Sequence, residues 1–380
     1  MKATGDAAPN LYVHFPFCRR KCAYCALHSS AGSTPAMRAN HVSRVVESIS
    51  GLGERRFRTV YFGGGTPALC DLRPFRGLFP EDAEFTVELH PLDVTDEKLD
   101  ELKSIGVNRI SLGVQSFCDS TLASMERLHS AEEAIRAFRK IRAAGFPNSG
   151  LDLIVGWPGD KGALDSARRA VDLGAVHVSV YTLIVEPGTP LAGKAGGEGF
   201  SIPSDDAMLD VLSSVRGILA EAGIVRYEIS NYAKPGFECR HNLAVWHGED
   251  YLGIGPGAYS RVGRRRWHVA DGADDDGGGW RDVGEATLDA AEDARERALF
   301  ALRLAEGLDF VRAERLFRPS VDDPDAGQRQ VDEWKATLDA WRARLDALVP
   351  QGIVRKLSPN SYALTDRGFE VCDAVVAELI

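Results

Sequence analysis

The sequence lacks the features that mark membrane, secreted or nucleic-acid-binding proteins. It has no run of about 18 apolar residues, so it predicts no membrane-spanning segment. Its opening residues, MKATGDAAPN, have no apolar core of the kind that a secretory signal requires. Positive charge is in the minority, because 45 Lys and Arg stand against 55 Asp and Glu. The net charge of −10 argues against a nucleic-acid partner, and we expect a cytoplasmic protein.

Cysteine is scarce and unevenly placed. Three of the seven cysteines lie in the segment 18–25, and the other four are scattered along the chain. The scattered ones are Cys70, Cys118, Cys239 and Cys372. A secreted protein held by disulfides would distribute its cysteines in a regular framework. The spacing therefore indicates a reducing compartment and one metal site.

Short apolar segments alternate with amphipathic ones from Leu11 to about Ile229. The strands are predicted at LYVHF, TVYFG, EFTVEL, RISLGV, LDLIVG and HVSVYTL, and the helices at 95–105, 119–126, 131–144, 163–173 and 204–222. Such alternation is typical of a parallel sheet with helices packed on it. Six units predict an α/β fold, a partial (β/α)6 barrel of the TIM-like kind, because a full barrel needs eight.

The composition changes twice after the barrel segments, which predicts three parts. Residues 1–235 are expected to form the barrel, and 236–287 a segment that closes it, with a loop or hairpin over 261–287. Residues 288–380 are predicted to form a C-terminal helical module. Its helical stretches precede a short β-hairpin pattern and a final helix from Asp366, which gives the module a winged-helix character.

Cys18, Cys22 and Cys25 directly follow the first predicted strand. In a parallel α/β barrel, the loops after the strands build the active site. Three thiolates at this spacing can bind three irons of a 4Fe–4S cluster, and without a fourth nearby cysteine one iron stays open to a ligand. The alternative is a zinc site completed by His28.

Beyond these cysteines the sequence resembles the radical S-adenosylmethionine (SAM) superfamily. The second strand ends in GGGTP, residues 63–67, which is similar to that family's glycine motif for the methionyl part of SAM. Residues without side chains let a backbone approach a ligand closely. Residues 12–18 (YVHFPFC), 109–117 (RISLGVQSF) and 227–232 (YEISNY) resemble the oxygen-independent coproporphyrinogen oxidase branch of the superfamily.

This resemblance implies a 4Fe–4S cluster, SAM as a cofactor, and an electron donor such as flavodoxin or ferredoxin. The positions that match the family's SAM-binding residues are Tyr12, Tyr24, Gly64, Gly65, Thr66, Glu88, Gln115, Arg127 and Asp152. Arg127 suits the methionyl carboxylate, because a guanidinium group can bond both carboxylate oxygens. Glu88, Gln115 and Asp152 are expected near strand ends, within reach of the ribose hydroxyls and the amino group.

Within this branch, two departures point to heme chaperones of the HemW type. The decarboxylating enzymes carry a fourth cysteine where this sequence has Leu27, and they have a longer segment before the first strand. The resemblance therefore implies a protein that binds heme and delivers it to acceptor proteins, such as membrane-bound respiratory ones. The alternative is an oxygen-independent coproporphyrinogen III dehydrogenase, which decarboxylates its substrate oxidatively to protoporphyrinogen IX. No catalytic residue is assigned.

Residues 227–242 also resemble the chaperone subgroup, whose heme-associated motif reads HNxxYW. Here the motif is HNLAVW, with Val245 in place of the tyrosine. His241 is the candidate heme ligand, because a neutral imidazole is a common ligand of heme iron. Cys239 is the alternative ligand.

Overall fold

The computed structural model describes residues 9–53, 55–195, 197, 200–270, 280–317 and 324–379. The strands are β1 Asn10–Phe15, β2 Phe17–Cys18, β3 Ser30–Ala31, β4 Thr59–Gly64, β5 Glu84–Leu89, β6 Arg109–Gln115, β7 Asn148–Val155, β8 His177–Thr182, β9 Val225–Arg226, β10 Asn231–Ala233, β11 Tyr251–Ile254, β12 Tyr259–Val262, β13 Arg265–Val269, β14 Asp282–Thr287, β15 Leu308–Asp309, β16 Val354–Ser358 and β17 Ser361–Leu364.

Helices lie between the strands along the chain. They are α1 Pro35–Ser50, α2 Asp96–Ser104, α3 Asp119–Ser124, α4 Ala131–Ala143, α5 Ala163–Asp172, α6 Pro190–Lys194, α7 Asp205–Glu221, α8 Arg240–Trp246, α9 Ala290–Phe300, α10 Phe310–Leu316, α11 Pro324–Leu348, α12 Asp366–Glu370 and α13 Cys372–Leu379. Short 3-10 turns lie at Pro67–Leu69, Arg73–Phe75, Pro91–Asp93 and Ala301–Arg303. Among the described residues, no helix is long and apolar enough to cross a membrane.

The six predicted strands pair in parallel in the order β1-β4-β5-β6-β7-β8, which confirms the partial barrel. Because side chains alternate along a strand, each strand has two different faces. The apolar residues, such as Val13, Phe62 and Val87, are buried in the main hydrophobic core. The alternate residues are polar and include Tyr61, which bonds Glu88 on the next strand. The barrel interior is therefore lined with polar side chains.

The sheet continues beyond the barrel on both sides. β11 pairs in parallel with β1, and β12, β13 and β14 then form an antiparallel meander. The expected hairpin over 261–287 is present as β13 and β14, although its central residues 271–279 lie outside the described part. The sequence did not predict β11, which adds a seventh parallel strand and brings the meander beside β1.

The C-terminal residues form a separate hydrophobic core that includes Trp334, Trp341 and Tyr362. Helix α9, strand β15, helices α10 and α11, and the hairpin of β16 and β17 follow one another in the order of a winged helix. The single helix predicted from Asp366 is interrupted at Val371, where the backbone leaves the helical region with φ −120° and ψ 25°. The bounds 1–235, 236–287 and 288–380 stay a prediction.

Candidate cluster site and a neighbouring histidine-lined cavity

The loop after β1 carries the three predicted cluster cysteines. Cys18 ends β2, and a hydrogen bond of 3.2 Å from the Cys25 amide to the Cys22 carbonyl closes the turn that follows. All three side chains line one cavity of about 460 Å³. Burial raises the pKa of Cys18 and of Cys25, and the charges of neighbouring cysteines raise it further. The three thiols therefore lie close enough to affect one another.

These residues fit a 4Fe–4S cluster better than a single zinc ion. Thiolates crowded in a half-buried site repel one another, and positively charged irons relieve that repulsion. Arg127 donates from Nη1 to the Cys22 sulfur over 3.3 Å and adds a positive charge beside it. His28, the alternative fourth zinc ligand, lines a different cavity.

The structure brings eight of the nine predicted SAM residues to the wall of the cluster cavity. They are Tyr24, Gly64, Gly65, Thr66, Glu88, Gln115, Arg127 and Asp152. The carboxyl ends of neighbouring parallel strands meet at one edge, which is why residues so distant in sequence come together. Tyr12 is the exception, because its side chain lines the neighbouring cavity. The part of SAM that each residue contacts stays a prediction.

Two half-buried carboxylates face the cluster cavity. Glu88 accepts hydrogen bonds from the Tyr61 hydroxyl (2.8 Å) and the Gly64 amide (3.2 Å). Asp152 accepts one from the Ser111 hydroxyl (3.0 Å). Burial, and then the charge of Asp152, raises the pKa of Glu88 to about 7, and burial also raises the pKa of Asp152. Two carboxylates that are costly to ionise together favour a cationic ligand, and the sulfonium group of SAM is one.

The glycine motif has a structural reason that differs from the expected one. Gly64 has φ +101°, and a Cβ there would lie 2.5 Å from the His14 ring. A Cβ on Gly65 would lie 2.5 Å from the Phe17 carbonyl oxygen. The missing side chains thus let the end of β4 pack against the strand that leads into Cys18. The expected close approach of this backbone to a ligand stays a prediction.

Two residues in the wall of the cluster cavity have a strained backbone. Gln115 and Glu126 have φ of +70° and +60°, a region that residues other than glycine rarely adopt. Such residues concentrate at functional sites. Glu126 precedes Arg127, which bridges the Gly113 carbonyl (2.5 Å) and Cys22. Sequence reasoning missed both the strain and the contact between Arg127 and a cluster cysteine.

A second cavity, of about 510 Å³, adjoins the cluster cavity and is called the histidine-lined cavity below. Its lining comprises Tyr12, His14, Ala26, Leu27, His28, His241, Val245, Tyr251, Gly257, Tyr259 and His268. Leu27 lines both cavities, so the segment just after Cys25 separates them. Among these residues, sequence reasoning singled out only Tyr12, Leu27, His28, His241 and Val245. β11 and the meander bring Tyr251, Gly257, Tyr259 and His268 to this cavity, whereas His14 lies on β1 and Ala26 directly follows Cys25.

His241 lies in the first turn of α8, with only 6% of the residue exposed. Its backbone amide donates to Glu84 over 3.1 Å, and its Nδ1 lies 2.8 Å from the Thr59 hydroxyl. Burial, and then the charge of Arg109, lowers the pKa of His241 to about 4. The imidazole is therefore neutral near pH 7, which is the form that binds metal ions.

The rest of the motif divides between two faces of α8. Val245 lies one turn after His241 and lines the same cavity. Trp246 faces the C-terminal module, where it contacts the Phe300 ring at 5.8 Å and the Arg303 guanidinium at 4.9 Å. Cys239 is fully buried beside Glu84, and burial raises its pKa to about 12. It lines neither cavity, whereas His241 lines the second one.

Comparisons with known proteins agree with this geometry. Residues 12–169 match the Radical SAM superfamily model. The chain is 36% identical over 268 residues to heme chaperone HemW of Escherichia coli K12, covering 67% of this chain and 70% of that protein. It is 33% identical over 333 residues to heme chaperone HemW of Bacillus subtilis 168, covering 82% and 87%. Coproporphyrinogen III oxidase (HemN) from Escherichia coli superposes with a TM-score of 0.77 at 21% identity, covering 98% of this chain and 90% of that one.

The partial barrel with three cysteines after its first strand defines a radical SAM protein, and membership of that class implies a 4Fe–4S cluster and SAM. The similarity to HemN establishes the shared fold and nothing further, because the identity is low. The relatives named heme chaperone HemW match over more than two thirds of their own length. The chain therefore belongs to the HemW family.

Proposed function

We propose that this protein binds heme in the histidine-lined cavity and delivers it to acceptor proteins. The observation that carries the proposal is a neutral, buried imidazole, His241, in the wall of a cavity of about 510 Å³. Sites for small molecules and cofactors usually enclose about 300–1,000 Å³. The names of the related chaperones agree with this function.

The lining of this cavity suits a flat macrocycle. Three tyrosines and four histidines contribute rings to it. Tyr259 and His268 stack at 4.9 Å with their planes 22° apart, and Tyr259 is exposed. Aromatic faces bind flat, apolar ligands through offset stacking. Val245 places an aliphatic group where the family motif has a tyrosine, so we expect this site to lose one hydroxyl contact, about 1 kcal/mol.

We also propose that Cys18, Cys22 and Cys25 hold the cluster, and that the eight residues around their cavity bind SAM. Arg127 would contact both groups, because it already reaches the Cys22 sulfur. Leu27 then lies between the cluster and the heme site, since it lines both cavities. The seven free cysteines support a reducing, cytoplasmic location, where flavodoxin or ferredoxin would supply electrons.

Hemin titration into anaerobically reconstituted protein tests this function. The wild type should bind one hemin with a shifted Soret band, and His241→Ala should lose that band. His247→Ala is the matched control, because His247 directly follows α8 but bonds Glu306 (2.6 Å) away from the cavity. Identical titrations for wild type and His241→Ala would reject the proposed site.

A parallel assay tests the alternative activity. The reconstituted protein receives coproporphyrinogen III, SAM and a reductant, and the porphyrin product is followed by fluorescence. We expect no turnover. Efficient formation of protoporphyrinogen IX would replace the chaperone function with the dehydrogenase.

A further inference from the structure

A chain of buried hydrogen bonds lies behind His241. It begins at Asn10, whose Nδ2 donates to the Asp250 carbonyl (3.0 Å) and to Glu249 (3.2 Å). These two acceptors fix the orientation of the Asn10 amide and leave its Oδ1 facing the Thr59 hydroxyl at 2.9 Å. An amide oxygen can only accept, so the single hydroxyl hydrogen of Thr59 lies on this bond.

The position of that hydrogen determines which nitrogen of His241 is protonated. The Thr59 oxygen lies 2.8 Å from His241 Nδ1. Because its only hydrogen points to Asn10, this oxygen must accept, and Nδ1 must carry the proton. A neutral imidazole has one ring proton, so Nε2 is left with a free lone pair. Among the described residues, none forms a hydrogen bond with Nε2.

We propose that Thr59, held by Asn10, is a positioning residue that makes Nε2 of His241 the atom that binds heme iron. The inference rests on the proposed heme site and goes beyond it by naming the ligand atom and the residue that selects it. Metal-binding histidines usually donate their second ring N–H to a neighbouring acceptor, which fixes both the tautomer and the ring orientation.

The fold makes this selection rigid. Asn10 and Thr59 are direct neighbours at the start of β1 and β4, and both are almost fully buried. The α8 backbone is held independently, because Glu84 accepts from the His241 amide at 3.1 Å. Rotation of the imidazole would give up the Thr59 bond in a place that water scarcely reaches, and buried polar groups left without partners are costly.

Nitrogen NMR of the heme-free, reconstituted protein tests the tautomer directly. Histidine labelled with 15N distinguishes a protonated from a bare ring nitrogen, and the His241→Gln spectrum assigns the signal. We expect protonated Nδ1 and bare Nε2 in wild type and in Thr59→Ser, which keeps the hydroxyl. Thr59→Val keeps the shape and removes the acceptor, so the other tautomer should appear. A wild-type spectrum with protonated Nε2 overturns the proposal without reference to any variant.

Hemin titration of the same proteins separates this proposal from the heme site itself. Thr59→Val should bind hemin 10- to 100-fold more weakly, the range seen when a partner behind a metal ligand is lost. Thr59→Ser should restore the affinity. If Thr59→Val binds as tightly as wild type while His241→Ala does not bind, the positioning role is refuted and the heme site stands. If His241→Ala binds normally, the heme site fails instead.

Discussion

Replacing Glu88 with glutamine tests whether the cluster cavity is built for a cation. Burial and the charge of Asp152 raise the pKa of Glu88 to about 7, so this carboxyl changes charge near neutral pH. The positive sulfonium of SAM should bind best when Glu88 is ionised. Glutamine has nearly the same shape and cannot ionise.

The expected magnitude follows from this pKa. At pH 6, one unit below it, about nine tenths of Glu88 is protonated, whereas at pH 8 about nine tenths is ionised. If SAM binds the ionised form, its affinity should be about tenfold weaker at pH 6 than at pH 8. The direction is fixed, because lowering the pH adds the proton that removes the charge.

Isothermal titration calorimetry on reconstituted wild type and Glu88→Gln measures this effect. The variant should bind SAM more weakly than wild type at pH 8. Its SAM affinity should not show the decrease of about tenfold between pH 8 and pH 6 that is expected for wild type. Any titration of SAM itself affects both proteins equally and cancels in the comparison. Equal pH profiles for the two proteins would show that Glu88 does not sense the cofactor.

Three further predictions concern the cluster and the buried histidines. Reconstitution should load about four irons per chain in wild type and none in Cys22→Ala, by iron and sulfide analysis; zinc without sulfide would contradict this. Arg127→Ala should weaken SAM binding and change the cluster's EPR spectrum, because Arg127 contacts Cys22. An unchanged spectrum would show that Arg127 acts on SAM and has no effect on the cluster. The unfolding temperature should fall as the pH is lowered from 6.5 to about 4, because burial lowers the pKa of His129 and His241 to about 4 and the unfolded chain therefore binds more protons than the folded one. The measurement is made in the Glu88→Gln variant, because protonation of Glu88 in the wild type opposes this fall. An unfolding temperature that stays constant in that variant would refute the prediction.

Local sequence patterns predicted the barrel, and the resemblance to radical SAM proteins supplied most of the residues that the structure brings to the cluster cavity. Strand–helix alternation locates every barrel strand, and residues at strand ends such as Glu88 and Asp152 meet because parallel strands align their ends. The histidine-lined cavity was less accessible to this reasoning. It depends on β11 pairing with β1 across more than 200 residues, which no local pattern encodes. Tyr12 illustrates the limit, because its strand was predicted correctly but the cavity it lines was not.

The central claim is that heme and the cluster occupy two adjacent but separate sites. Crystals of the reconstituted, heme-loaded protein test it most directly, because anomalous scattering at the iron edge locates every iron atom. We predict one strong peak for the cluster beside Cys18, Cys22 and Cys25, and a single peak bonded to Nε2 of His241 on the far side of Leu27. A heme iron inside the cluster cavity, or on the surface away from His241, would contradict the account.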